Sequence, residues 1–242
     1  MKKIKTNPAF NYEEVKAGYY DLIYKKKSGI QSAWHHLKFD YLKKKINPKD
    51  VHLDIGCGAG TFLSKLQNKK SFGIDVSKNQ ILYAKKNYQN KYKKFKIMKK
   101  GKIPFKSKYF DSISLLEIIE HLSDRDISKI LNESYRVLKE NGKLFITTPN
   151  YYSFWPILEF IINQFSDVSY EEQHINKFNK KKLISFLGKY NFTIKKITSY
   201  IFFSFFFAMF SFKFSLKLVK IDNILTKFFP GLSLYIKLVK IK

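Results

Sequence analysis

The sequence has a single cysteine, Cys57, which excludes a disulfide framework or a cysteine zinc cluster within one chain and fits a reducing compartment. Arginine is nearly missing: Arg125 and Arg136 are the only two, so lysine supplies the rest of a formal net charge of +27. A charge of that size ordinarily points to nucleic acid or an anionic surface. Here the lysines accompany abundant Asn, Ile, Phe and Tyr, a mixture that reads as compositional drift spread over every solvated face. Long apolar runs are missing too. The longest stretch without a charged residue, 197–212, has 16 residues, short of the roughly 20 that a membrane-crossing helix requires. It is expected to be buried or to lie in a membrane interface. The basic start from Met1 to Pro8 runs into two glutamates rather than an apolar core, so no secretory signal is read and a cytosolic address is expected. Neither an internal repeat nor a Gly/Ser linker occurs. With 242 residues, 45% of them hydrophobic, one α/β domain with insertions is the expectation.

What is present is an alternation. Residues 32–46 carry Trp34, Leu37, Phe39, Tyr41, Leu42 and Ile46 at roughly helical spacing and stop at Asn47-Pro48. After this leading helix, short apolar runs at 51–55, 71–76, 95–98, 111–116, 143–148 and 192–200 are interleaved with helical patterns at 61–67, 78–88, 127–138 and 180–190. That order predicts a parallel sheet with helices on both faces. The last run, 232–241, leaves no room for a crossover helix and is expected to enter as an antiparallel strand. The division expected is a helical cap over 1–47 and a main domain over 48–242, interrupted by insertions at about 150–173 and 202–231.

The most informative segment is Val51-His52-Leu53-Asp54-Ile55-Gly56-Cys57-Gly58-Ala59-Gly60-Thr61. It is a strand, a glycine turn and a helix start, where glycine permits positive φ and a ligand can approach the backbone closely. A dinucleotide fingerprint would need glycine at position 61; the pattern here is D-x-G-x-G-x-G. Asp75 ends the next strand, beside Val76, where a carboxylate can accept both hydroxyls of a ribose.

This pattern resembles motif I of class I S-adenosylmethionine-dependent methyltransferases. The resemblance continues through Ile103-Pro104-Phe105, Tyr109-Phe110-Asp111-Ser112-Ile113, Leu115-Leu116-Glu117-Ile118-Ile119-Glu120-His121-Leu122 and Arg136-Val137-Leu138 to about Pro149, with an echo at Gln173-His174-Ile175-Asn176. These blocks look like those of the small-molecule methyltransferases of ubiquinone and menaquinone biosynthesis. The resemblance implies a Rossmann-like, doubly wound seven-stranded sheet and S-adenosyl-L-methionine as cofactor. It places cofactor contacts at Asp54, Gly56, Cys57, Gly58, Gly60, Asp75, Val76 and Glu117, with Asp54 near the methionine part. Relatives carry an acid for the adenine amine where this chain has Lys99.

Methyl transfer to oxygen usually needs a base, and histidine is the natural one near neutral pH. His121, in E-x-x-E-H with Glu117 and Glu120, and His174 are the candidates, with Glu120 beside them; for each histidine a structural, hydrogen-bonding role is the reading placed slightly ahead of catalysis. Two carboxylates and a histidine also suit a divalent ion, as in some quinone O-methyltransferases, although no fourth ligand is evident and no metal is assigned. His35 and His36, beside Trp34, read as a solvated or packed pair.

Both insertions begin at carboxyl ends of strands, where open α/β sheets bind ligands. Both are apolar and aromatic. They are readable as a lid core, or as an entrance for a lipid-linked substrate with Lys213, Lys217, Lys220 and Lys227 meeting an anionic membrane surface. The acceptor expected is a small or lipid-linked glycan, glycolipid or quinone. An RNA methyltransferase is the rival, disfavoured because Leu115-Leu116-Glu117 stands where enzymes acting on base amines carry an Asn/Asp-Pro-Pro-aromatic motif. A non-catalytic binding protein that retains the fold is the third reading.

Overall fold

Ser77, Ser123 and Asn179 each stand just before a helical pattern, and each stops the chain in the same way. In a computed structural model, which describes residues 15–68, 70–99, 101–165 and 174–241, the Ser77 hydroxyl accepts the Gln80 amide at the head of α4 (Lys78–Tyr88). Ser123 accepts the Asp126 amide at the head of α5 (Asp124–Val137), and Asn179 that of Lys182 at α7 (Lys180–Leu187). Each such cap contributes about 1 kcal/mol. The cap on α5 also explains why that helix begins at Asp124 rather than at the first apolar residue, Ile127.

Seven strands form one sheet: β1 (Val51–Ile55), β2 (Lys70–Asp75), β3 (Lys93–Ile97), β4 (Phe110–Leu116), β5 (Leu138–Pro149), β6 (Phe192–Tyr200) and β7 (Ser233–Lys240). Their order is β3-β2-β1-β4-β5-β7-β6. The last strand in the chain runs antiparallel to both β5 and β6, as its position demanded. β5 is longer than its apolar run. Leu138 already pairs with Phe110, and a register shift then restarts the ladder at Lys143 opposite Ser112.

Strand alternation separates two cores. Leu53 and Ile55 of β1 and Ile113 and Leu115 of β4 face Ile127, Leu131, Leu183 and Leu187 of α5 and α7. The other face is covered by α2 (Gly29–Lys43), α3 (Thr61–Lys65) and α4, through Leu37, Leu42, Phe62 and Ile81. On that face His52 and Asp54 stand opposite Ser112 and Ser114. β1 lies between β2 and β4, so the loops leaving β1, β2 and β4 converge at the sheet's topological switch point.

Ahead of the sheet, α1 (Tyr19–Lys26) and α2 pack on its helices; residues 1–14 of the expected cap lie outside the described residues. Asp21 of α1 is fully buried and accepts hydrogen bonds from Thr61 at 2.9 Å, Tyr83 at 2.8 Å and Tyr88 at 2.5 Å, with Lys25 at 2.7 Å. Burial pushes its carboxyl pKa up, and these partners together bring it below the usual carboxylate range. This hub fixes the first residue of α3, and with it the end of the glycine turn.

The insertion after β5 contains α6 (Trp155–Phe165); its residues 166–173, Gln173 included, lie outside the described residues. The insertion after β6 contains a 3-10 turn (Ser204–Met209), α8 (Phe212–Lys217) and α9 (Val219–Leu225). The two meet over Trp34, whose ring centroid is 5.3 Å from Trp155 and 5.2 Å from Phe205. Their inner side chains thus form a lid core with α2. Asp222 pins the second insertion from inside: its buried carboxylate accepts the amides of Phe202, Phe203 and Ser204 and the Ser204 hydroxyl. No helix among the described residues is long and apolar enough to cross a membrane.

Candidate active site

The glycine turn after β1 holds three left-handed glycines, with φ of 72° at Gly56, 48° at Gly58 and 78° at Gly60. Packing accounts for two of them. A Cβ on Gly56 would sit 2.3 Å from Ile118, and one on Gly60 2.7 Å from Phe95, whereas one on Gly58 would meet no protein atom within 4 Å. The space beside Gly58 is therefore a cradle that the protein leaves open and that a side chain would fill. The Cys57 thiol is buried against Gly73, and burial, then the charges of Asp75 and Asp54, push its pKa up so that it stays neutral.

Asp75 ties two loops together across this cradle. Its Oδ2 accepts the Gly58 amide at 2.8 Å and its Oδ1 the Ser77 amide at 2.9 Å. Each carboxylate oxygen can accept a further bond, so an oriented acceptor pair stands at the edge of the cradle. Val76 beside it is 46% exposed, an apolar surface next to the carboxylate. Lys99, the departure from the expected acid, is exposed in a bridge with Lys102.

Beneath the turn lies a buried polar relay. Ser114 donates to Asp54 at 2.5 Å, His52 Nε2 lies 3.0 Å from the Ser114 oxygen, and His52 Nδ1 lies 2.9 Å from Ser112. Burial holds the His52 pKa down at about 3, so the ring is neutral. Since the Ser114 proton points to Asp54, Nε2 carries the ring hydrogen and Nδ1 accepts from Ser112. Burial, reinforced by the Asp75 charge, raises the Asp54 pKa to about 7. The folded state then holds a proton that the unfolded chain releases near 3.9, so the stability Asp54 contributes is full below about pH 4 and is lost as pH rises to 7. Asp54→Asn is therefore expected to gain on the wild type by several degrees in Tm between pH 5 and pH 8, followed by calorimetric melts; parallel pH profiles contradict this.

The second half of the site follows β4. Glu117 has a left-handed φ of 53°, its amide is bonded to Thr147, and its Oε1 is buried without a hydrogen-bond partner. A non-glycine residue held there costs about 1–2 kcal/mol, which marks a constrained position. Glu120 is fully buried and neither of its carboxylate oxygens has a hydrogen-bond partner; Thr148 approaches without forming a bond of ordinary geometry, and His121 Nε2 is 4.0 Å away. Burial, then the Glu117 charge, push the Glu120 pKa well up, which makes it a neutral acid.

His174 is delivered to the same place by the chain returning after α6. Asn176 anchors this return: its amide donates to the Glu120 carbonyl at 2.9 Å and its side chain to the Leu122 carbonyl at 2.7 Å. The His174 and His121 ring centroids are then 4.9 Å apart. Ligand atoms of Glu120, His121 and His174 lie within 4.8 Å of one another, a grouping that could hold a divalent ion. Glu117 falls outside that group. His174 Nδ1 is 2.5 Å from Glu159 and 2.8 Å from the Tyr151 hydroxyl, which itself donates to Glu159 at 2.8 Å. Burial and the Glu159 charge raise the Tyr151 pKa, so the phenol remains a donor.

Sequence reasoning missed Glu159 and Tyr151. The signal was a lone carboxylate at 159 within the apolar run 150–166. His36, by contrast, is occupied structurally, stacked on Tyr24 and bonded to its carbonyl.

A family model described as a methyltransferase domain matches residues 29–197. The chain belongs to this methyltransferase family. It is 30% identical over 188 residues to an uncharacterized protein of Methanocaldococcus jannaschii, covering 77% of this chain and 64% of that protein. It is 40% identical over 103 residues to the ubiquinone biosynthesis O-methyltransferase of Pelagibacter ubique, covering 40% of this chain and 41% of the relative. The chain thus spans between about two fifths and two thirds of the length of these relatives. In fold it is similar to a crystallised S-adenosylmethionine-dependent methyltransferase from Thermotoga maritima, with a TM-score of 0.66 and 17% identity over 91% of this chain and 94% of that one. The methyltransferase takes S-adenosyl-L-methionine as its cofactor, and the open space at Gly58, rimmed by the Asp75 acceptor pair, fits a ligand with a ribose diol.

Proposed function

We propose that this methyltransferase methylates an oxygen of a small or lipid-linked acceptor, of glycan, glycolipid or quinone type, with His174 as the general base. The observation that carries the reading is the Tyr151–Glu159–His174 cluster beside Glu120 and His121. The bound cofactor supplies a methyl group on a cationic sulfonium, whose charge disappears on transfer. The chain's own work is to align and desolvate, which is worth up to about 7–11 kcal/mol. Asp75 holds the ribose hydroxyls, Gly56, Cys57, Gly58 and Gly60 give the cofactor backbone contact, Val76 gives it an apolar wall, and Asp54 and Glu117 face its methionine end. Glu159 accepts the Nδ1 hydrogen of His174, which leaves Nε2 basic; the acceptor hydroxyl loses its proton there, and Glu159 stabilises the imidazolium that results. In this reading α1 and α2 serve as a cap over this site.

The O-methyltransferase relative supports an oxygen acceptor. An ion at Glu120, His121 and His174 is the second reading, favoured by the unpartnered oxygens of Glu120; it would deprotonate the acceptor by coordination. The test is transfer from methyl-labelled cofactor into fractionated cell extract. Label in an organic-extractable or small water-soluble product, as a methyl ether or ester, is expected; label confined to RNA contradicts the proposal. Loss of turnover after dialysis against a chelator, restored by a divalent ion, selects the second reading over the free base.

A further inference from the structure

The insertion after β6 has two faces of different character. Its inner side chains, Phe205, Ala208 and Ser215, are buried. Outside, Met209 is 67% exposed, Phe210 86% and Phe228 77%. A run of partly exposed rings crosses the same insertion: Phe229, Phe202, Phe203, Phe207 and Phe214 follow one another with centroids 5.7 to 6.0 Å apart. Every other charge on the insertion is positive, since Lys213, Lys217, Lys220 and Lys227 are exposed and its single acid, Asp222, is buried and consumed by backbone amides. A groove of about 500 Å3 lined by Lys27, Lys213, Ser211, His36, Phe212 and Leu216 opens beside α8.

Exposed aromatics within a purely cationic rim suit one partner chemistry. We infer that this face is a docking surface for an anionic phospholipid bilayer, with Met209, Phe210 and Phe228 entering the interface and the four lysines meeting headgroup phosphates. Self-association is disfavoured by the same charges, because a two-fold contact would set the lysines of one copy against those of the other. Isolated apolar side chains on a surface are ordinary; a run of five rings on the same short insertion as three strongly exposed apolar side chains is not. Asp222 supplies the rigidity: by tying three successive amides from inside, it holds the ring run outward without a long helix. The surface stands apart from the methyl-transfer reading and is measurable without turnover.

The test is co-sedimentation of the whole chain with phosphatidylcholine vesicles, with and without phosphatidylglycerol, at low and high salt. Binding is expected to need phosphatidylglycerol at low salt and to keep a salt-resistant part. Each buried aromatic is worth about tenfold or more in partitioning, and each lysine about fivefold. Met209→Ser, Phe210→Ser and Phe228→Ser together should remove the salt-resistant part, a loss of at least about 100-fold. Lys213→Gln, Lys217→Gln, Lys220→Gln and Lys227→Gln together should remove the dependence on phosphatidylglycerol. Because all seven side chains are exposed, melting temperature and cofactor affinity should stay at wild-type values, which separates failure of the surface from failure of the site. Protein that remains in the supernatant under every condition overturns the inference. So does binding that the serine variant retains in full, which is non-specific adsorption, or vesicle-free self-association that the serine variant abolishes, which makes the face an interface between copies.

Discussion

Asp75→Ala is expected to weaken S-adenosylmethionine binding by about 10²- to 10⁴-fold while the chain stays folded. The carboxylate presents two oxygens already oriented by the Gly58 and Ser77 amides. Two hydrogen bonds from a ribose diol to a charged acceptor contribute about 1.5–3 kcal/mol each, and the sum converts to that range of affinity. Gly58→Val should be at least as damaging by a different route. No protein atom lies within 4 Å of the added Cβ, so the valine has room in the fold, yet its methyl groups project into the cradle. The left-handed φ adds about 1–2 kcal/mol of strain, and a melt must show that the fold survives it. Gly58→Ala, smaller and less strained, serves as the graded comparison and should lose less. Calorimetric titration decides the matter: wild-type affinity in a folded Asp75→Ala or Gly58→Val protein removes both the ribose assignment and the cradle.

These positions were legible because the chemistry leaves few choices. A left-handed turn favours glycine, and Asp75 closes the apolar run of its strand, so the glycine turn and the strand-end acid announce themselves locally. The sheet was legible for a related reason: strand and helix alternate in sequence, and a final strand with no crossover must run antiparallel. Asp21 and Asp222 announced nothing, and Glu159 only its oddity as a lone carboxylate in an apolar run. Apart from Lys25, one turn on from Asp21, their partners come from other elements or the far end of a loop: 40 to 67 residues away for Asp21, 18 to 20 for Asp222 and 8 and 15 for Glu159. Only the fold shows that they collect donors and fix other segments. The phenylalanine run resisted reading because its 3-10 turn has no period matched by the sequence. Phe205 is buried and Phe206, next to it, is exposed, and a uniform apolar string carries no mark of which ring turns inward. Replacing Phe203, as its place in the string suggests, would disturb a half-buried ring in the run rather than the outer surface.

Among substitutions in the catalytic half, His174→Ala should show the largest loss: a fall of about 10² to 10⁴ in kcat, with cofactor affinity unchanged, because it removes the proton acceptor and nothing that touches the cradle. Its loss should be partly restored by added imidazole, which reaches the vacated volume and replaces the base without replacing the fold. His121→Ala, whose ring lies 4.9 Å from His174, should cost less and should not respond to imidazole. Glu159→Gln tests how the base is held. The carboxylate accepts the His174 Nδ1 hydrogen and the Tyr151 hydroxyl together, and an amide can turn a donor toward Nδ1, which reverses the tautomer and buries the hydrogen on Nε2. A loss of about 10- to 10⁴-fold in kcat follows, with KM for the cofactor kept and no rescue by imidazole, since the ring is still in place. Melting curves must accompany both variants, because His174 and Glu159 are buried and a collapsed site would lose activity without any bearing on the base. Equal, mild losses in folded His121→Ala and His174→Ala would leave alignment of the two reactants as the whole catalytic account, with the Glu159 cluster reduced to a clamp on the returning chain.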